Sequence, residues 1–154
     1  MSAVQPENAE LGMYRTKNII KAEKINVINT IWTDKGVDMS NCTLFDGSGL
    51  SPKNRISPNC LSKILCMAVN NKAFRNSLPK VSVEGTVKNV MKESSIAKYL
   101  TLKSGSMQGV QCYAGYYDDG NKCYAIVIMV NNFKGKRRDV QTEIGNIIEG
   151  LIKQ

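Results

Sequence analysis

The residues best suited to chemistry in this chain are Lys103, Ser104, Gly105 and Ser106, four consecutive positions. A lysine ammonium can stabilise an anion or pass a proton, and a serine hydroxyl can donate to a carboxylate. A glycine lets a second backbone come close. Such a triplet also arises by chance at ordinary strand ends, so its surroundings must decide between the catalytic and the structural reading. The chain contains no histidine. A Ser-His-Asp triad and a Cys-His pair are therefore excluded within it, and nucleophilic chemistry here would need a lysine or a carboxylate as its base.

Other chemistry is weaker. Two S-x-x-K matches occur, Ser77-Leu78-Pro79-Lys80 and Ser95-Ile96-Ala97-Lys98. The first carries a proline where a helix would have to run. The five cysteines, Cys42, Cys60, Cys66, Cys112 and Cys123, include no CxxC. That spacing and the missing histidine disfavour zinc, and the odd number disfavours a closed disulfide framework, so mostly buried free thiols are expected. No metal or cofactor is expected. Asp46, Ser48 and Gly49 read as turn chemistry more readily than as cleft residues.

The net charge of +8 raises the question of nucleic acid. The densest cluster, Lys134, Lys136, Arg137 and Arg138, has only Phe133 beside it and reads as a solvated loop before a helix, so no nucleic-acid partner is expected. No run approaches the ~18 apolar residues of a membrane span, and residues 1–15 lack a secretory h-region. The sequence reads as a soluble chain bearing no address of its own. An apolar content of 42% is enough for a buried core.

Several elements must position these residues. Residues 1–18 read as a flexible segment. From Ile19 to Lys35 the pattern is helical, with Ile25, Ile28 and Trp32 on one stripe and Gly36 placed for a left-handed cap. Cys42 to Phe45 is strand-like and leads into the turn cluster Asp46-Gly47-Ser48-Gly49. Ser57-Pro58 opens a second helix whose apolar face is Leu61, Ile64, Leu65 and Ala68. Residues 75–95 show little pattern.

Tyr99–Leu102, Val110–Tyr117 and Lys122–Asn131 read as strands, with the lysine triplet closing the first of them in the middle of a sheet. Asp119-Gly120 signals a hairpin. The run from Cys123 to Val130 is apolar with almost no alternation, as in a strand buried on both faces. That hairpin centre would set Cys112 opposite Val127 and about 13 Å from Cys123, too far for a disulfide. A final amphipathic helix from about Arg138 to Ile152 presents Val140, Ile144, Ile147, Ile148 and Leu151. The expected fold is α+β, an antiparallel sheet with helices on both faces.

Four segments in order carry a more specific signal. They are Asp46-Gly47-Ser48-Gly49-Leu50-Ser51, then Leu78-Pro79 with Gly85-Thr86-Val87-Lys88-Asn89, then Lys103-Ser104-Gly105-Ser106-Met107-Gln108-Gly109-Val110, then Ala114-Gly115-Tyr116. In this order they resemble the D-alanyl-D-alanine carboxypeptidase/endopeptidase family, the class C low-molecular-mass penicillin-binding proteins, over roughly residues 20–152.

The resemblance implies part of a β-lactamase/transpeptidase-like fold over residues 19–154. It implies a serine-type carboxypeptidase acting on peptidoglycan stem peptides through an acyl-serine intermediate, a periplasmic location, and β-lactams as ligands. Such enzymes use S-x-x-K, S-x-N and K-T/S-G motifs. Lys103, Ser104 and Gly105 match the third. Lys103 would be catalytic, Ser104 would donate to the substrate's terminal carboxylate, Gly105 would admit it, and the Ser106 N–H would be an oxyanion-hole donor. The first two motifs have no match at the family's positions, so the chain is expected to be inactive alone. The alternative is a non-catalytic module that binds D-Ala-D-Ala termini or a protein partner.

Overall fold

The structure, a computed structural model, describes residues 25–154. The segment expected to be flexible, 1–18, and the start expected for the first helix, Ile19, lie outside the described residues. Contacts divide the chain into two units, Met1–Cys60 and Leu61–Gln154.

In the first unit a helix, α1, covers residues 25–34. It ends as the sequence predicts. Gly36 takes φ +80°, its N–H donates to the Thr33 carbonyl at 2.8 Å, and the Val37 N–H donates to the Trp32 carbonyl at 3.0 Å. This pair of bonds satisfies the last carbonyls of the helix, and the Val37 side chain is buried behind the cap. The stretch 42–45 is no strand among the described residues: only Thr43 pairs, with Arg55. The turn between them closes on its own polar groups. Asp46 accepts from the Gly49 and Ser51 N–H groups at 2.9 and 3.0 Å and from the Asn54 amide at 3.0 Å. Asn54 Oδ1 in turn accepts from the Phe45 and Asp46 N–H groups. These bonds hold the Asp46 carboxyl below the usual carboxylate range, the Asn54 amide contributing most.

Helix α2, Pro58–Ala68, starts at the Ser57-Pro58 signal. The Ser57 hydroxyl accepts from the Cys60 N–H at 3.1 Å, satisfying one free donor of the first turn. The unit boundary falls inside this helix.

The second unit is built on three antiparallel strands in the order β1-β2-β3: β1 Leu100–Met107, β2 Val110–Asp118 and β3 Cys123–Asn131. A short helix α3, Lys72–Asn76, precedes them, and α4, Arg137–Ile152, follows. β1 and β2 are joined by Gln108 and Gly109, where Gly109 takes the left-handed conformation, φ +68°, that so short a connection demands.

Paired residues share a face of the sheet. Leu100, Leu102, Tyr113, Tyr117, Ile126 and Ile128 therefore point to one side, where they pack with Ile144 and Ile148 of α4. Val81, Val87, Val90 and Ile96, from the connecting segment, close the same core. On the other side the Tyr116 hydroxyl donates to the Leu65 carbonyl of α2 at 2.7 Å. Helices thus lie on both faces, and the architecture is the α+β arrangement expected.

Four expectations change. The buried row of α4 is Val140, Ile144, Ile148 and Ile152, at four-residue spacing, with Gly145 beside it. Ile147 and Leu151 face outward, 52% and 63% exposed. β3 is a half-buried edge strand among the described residues, not one enclosed on both faces. The hairpin centres one residue later than Asp119-Gly120, because Asp119 Oδ1 accepts from the N–H groups of both Asn121 and Lys122 and stretches the loop. Cys112 consequently pairs with Met129, still farther from Cys123. Only Cys60 is a buried thiol: Cys42 and Cys112 are half-buried, and Cys66 and Cys123 are exposed.

Candidate functional site

The triplet lies inside β1, which continues through Met107. Its place in the sheet is an edge, since β2 is the only strand beside it among the described residues. The first half of that edge is covered. The Val81 N–H donates to the Leu100 carbonyl, and the Leu102 N–H donates to the Pro79 carbonyl, both at 3.0 Å. In an antiparallel ladder alternate residues turn both backbone groups to the same side. Leu100 and Leu102 face outward, so Ser104 and Ser106 do too. Beyond Pro79 no backbone segment among the described residues bonds to that outer edge. A stretch of β1 therefore presents backbone groups that have no backbone partner among the described residues, an edge open to an extended ligand.

Side chains along this stretch alternate. Lys103 is exposed on the face that carries Tyr116, opposite α4, and its Nζ donates to the Ser104 carbonyl at 2.6 Å. The ammonium thus lies against the outward-facing carbonyl of the next residue. Ser104 is half-buried on the α4 face, with its Oγ 2.6 Å from Thr86 Oγ1. Gly105 and Ser106 are exposed. A Cβ placed on Gly105 would touch only Cys112 Cβ, at 3.9 Å, so packing within the chain does not demand a glycine there.

Thr86 escaped the sequence reading as a site residue. It sits in a short 3-10 turn, Gly85–Val87, anchored by the fully buried Val87 and by the Ser82 N–H donating to the Val87 carbonyl at 3.1 Å. Its signal was the Gly85-to-Asn89 segment, whose spacing says nothing about which strand it meets. By sequence Arg137 is only part of a solvated cluster. Its guanidinium donates to the Met107 carbonyl at 2.9 Å, which places a cation at the far end of β1.

The two S-x-x-K matches do not form a lysine-serine turn. The Ser77 hydroxyl donates to the Phe74 carbonyl at 2.7 Å at the end of α3, and Pro79 and Lys80 already run beside β1. The Lys98 ammonium lies 4.9 Å over the Tyr99 ring, within a 3-10 turn. Asp46, Ser48 and Gly49 bond to one another, as turn residues do. Among the described residues no cluster of carboxylates and thiols is arranged to hold a metal, and no helix is long and apolar enough to cross a membrane.

The model of the D-Ala-D-Ala carboxypeptidase 3 (S13) family matches residues 10–152. The chain belongs to that family. A curated relative, the D-alanyl-D-alanine carboxypeptidase DacB of Haemophilus influenzae, is 24% identical over 152 residues, covering 94% of this chain and 29% of the relative. The crystal structure of penicillin-binding protein 4 (dacB) from the same organism superposes with a TM-score of 0.71 at 25% identity, over 80% of this chain and 30% of that one. A second structure of that protein, complexed with a novel β-lactam, superposes at 0.70 and 25% identity over 79% and 31%. The chain thus spans under a third of the length of these relatives. The fold is the transpeptidase-like one of this S13 family, and it is present here in part.

Proposed function

We propose that this chain is the C-terminal part of a serine-type D-Ala-D-Ala carboxypeptidase domain that acts on peptidoglycan stem peptides in the periplasm, and that it supplies the strand edge on which the substrate docks. The observation that carries this reading is the outward-facing stretch of β1 at Ser104–Ser106, to which no backbone segment bonds among the described residues, flanked by the Lys103 ammonium. An acyl-D-Ala-D-Ala terminus is extended and ends in a carboxylate. Laid antiparallel along this edge, it would take backbone hydrogen bonds from β1.

In that pose the Ser104 hydroxyl leaves Thr86 and donates to the terminal carboxylate, and Thr86 stands close enough to share the load. Gly105 adds no side chain between the two backbones. The Ser106 N–H points where the scissile carbonyl's oxygen would gather charge, one of the two donors an oxyanion hole needs. Lys103, released from its own chain's carbonyl, lowers the energy of the anionic states and assists proton movement. The nucleophile belongs to an S-x-x-K motif that this chain does not carry at the family's positions. The outer edge of β3 supports the same reading. It is unpaired among the described residues, and an apolar groove of about 290 Å³ separates it from α4, lined by Ile126, Ile128, Ile148 and Ile152. Such an edge suits a sheet that continues into further strands.

Two measurements on the full chain test this. An acyl-D-Ala-D-Ala peptide titrated calorimetrically should bind, and Lys103→Ala should weaken binding about tenfold or more, the worth of one charge-assisted contact. Fluorescent penicillin should leave no label that survives denaturation. A surviving covalent label would overturn the missing nucleophile, and a peptide that does not bind would overturn the docking edge.

A further inference from the structure

The first unit brings two cysteines together far from β1 in sequence. Cys42 immediately precedes Thr43, whose N–H and carbonyl bond with Arg55 at 2.7 and 2.8 Å. Cys60 lies in the first turn of α2, where its N–H donates to the Ser57 hydroxyl at 3.1 Å. Both backbones are thus held by hydrogen bonds, one on each side of the Asp46–Asn54 turn. Their Sγ atoms stand 2.8 Å apart. That is inside the ~3.5–4.0 Å of ordinary non-bonded contact between heavy atoms. A disulfide needs about 2.05 Å, so small side-chain rotations close the gap. The sulfur of Met39 lies 3.6 Å from Cys60 Sγ. Cys60 is 4% exposed and Cys42 half-buried.

We propose that Cys42 and Cys60 are a modification site: oxidised by a disulfide-bearing reagent or oxidoreductase, they form an intramolecular disulfide that ties the base of the Asp46–Asn54 turn to the start of α2. The order of events follows from exposure. Burial, followed by the hydrogen bond with Cys42, pushes the Cys60 thiol up to about 12, so it stays protonated at neutral pH. The more accessible Cys42 loses its proton to solvent and attacks one sulfur of the oxidant, breaking the oxidant's S–S bond and expelling one thiolate. Cys60 then loses its proton and attacks Cys42 Sγ, expelling the second thiolate. Two protein thiols and one oxidant disulfide become one protein disulfide and two oxidant thiols, which balances atoms and electrons. Among the described residues no other two cysteine sulfurs are in contact. Cys112 sits opposite Met129 while Cys123 sits opposite Asp118, at different ends of the hairpin.

The test uses the full chain, reduced, freed of reductant and incubated with glutathione disulfide. Thiol titration under denaturing conditions should fall from five to three. The intact mass should drop by two hydrogens. Trypsin cuts after Lys53 and Arg55, between the two cysteines, so a non-reducing digest should contain one linked pair of peptides carrying Cys42 and Cys60. Cys60→Ser should lose the linked pair while keeping the other thiols titratable. Five persistent thiols in the wild-type chain, a glutathione adduct without the cross-link, or a cross-link between other cysteines would each overturn the proposal.

Discussion

Gly115→Ala is the substitution that presses hardest on the geometry of β1. Gly115 pairs with Leu102, one residue before Lys103, and is buried. A Cβ built there would lie 2.0 Å from the Thr101 carbonyl oxygen and 3.0 Å from Leu102 Cα, both backbone atoms. A carbon and a carbonyl oxygen tolerate no less than about 3.3 Å, so β1 must retreat by roughly 1 Å. Ladder bonds of about 2.9 Å cannot survive such a retreat, and one of them breaks on each side of the methyl group. Two lost bonds cost about 2 kcal/mol net, and overpacking a filled core costs a further ~1–3 kcal/mol. The expected loss is therefore about 3–5 kcal/mol. Urea unfolding followed by far-UV circular dichroism measures it directly, since a change of midpoint at constant slope reports stability. A loss below about 1 kcal/mol would mean that β1 does not pass over Gly115 as described, and the docking edge built on that strand would fall with it.

Gly105→Ala is the counterpart. The added methyl meets only Cys112 Cβ, at 3.9 Å. Thermal stability should stay within about 0.5 kcal/mol of the parent, while affinity for an acyl-D-Ala-D-Ala peptide should fall. Unchanged affinity would remove Gly105 from the proposed site. The Arg75 guanidinium donates to Asp118 at 2.6 Å and lies 5.0 Å over the Tyr116 ring. That contact, foremost among the causes, holds the Asp118 carboxyl below its ordinary value. A lowered folded-state value stabilises the fold above the unfolded carboxylate range, near 3.9, and the benefit disappears as pH falls through the lowered value. Both partners are partly exposed, so solvent screening limits the pair to about 0.5–1 kcal/mol. Arg75→Ala should cost that much at pH 7 by urea unfolding, and the difference from the parent should shrink in acid below pH 4. A difference that persists undiminished there would assign the effect to packing on Tyr116.

Much of the helical framework was legible from local chemistry. The Ser57-Pro58 start, the Gly36 cap and the final helix each depend on a few adjacent residues whose backbone preferences agree. At Ile147 and Leu151 the periodicity allows a wide apolar stripe, and only the Val140, Ile144, Ile148 and Ile152 row meets the core. The strand assigned to Tyr99–Leu102 stopped short because Ser104, Gly105 and Ser106 have low strand preference. Pairing with Cys112, Tyr113 and Gln111 overrides it. The candidate site was legible as a motif through the order of its segments, and Lys103 through its type. Its contacts were not. Thr86 reaches Ser104 across a separation of 18 residues, and Arg75 reaches Asp118 across 43.

The chain's own sequence decided where α1 ends, where α2 begins and where α4 runs, that a hairpin must form near Asp119, that no histidine chemistry is available, and which ordered segments align it with the carboxypeptidases. These follow from dihedral preferences and side-chain types, which act within a few residues of one another. Tertiary structure alone decided that β1 is an edge with Ser104 and Ser106 turned outward, that β3 is left half-exposed, and that Cys42 meets Cys60. Each of those depends on which distant segments fill the space on either side, and a linear pattern of types does not record that choice.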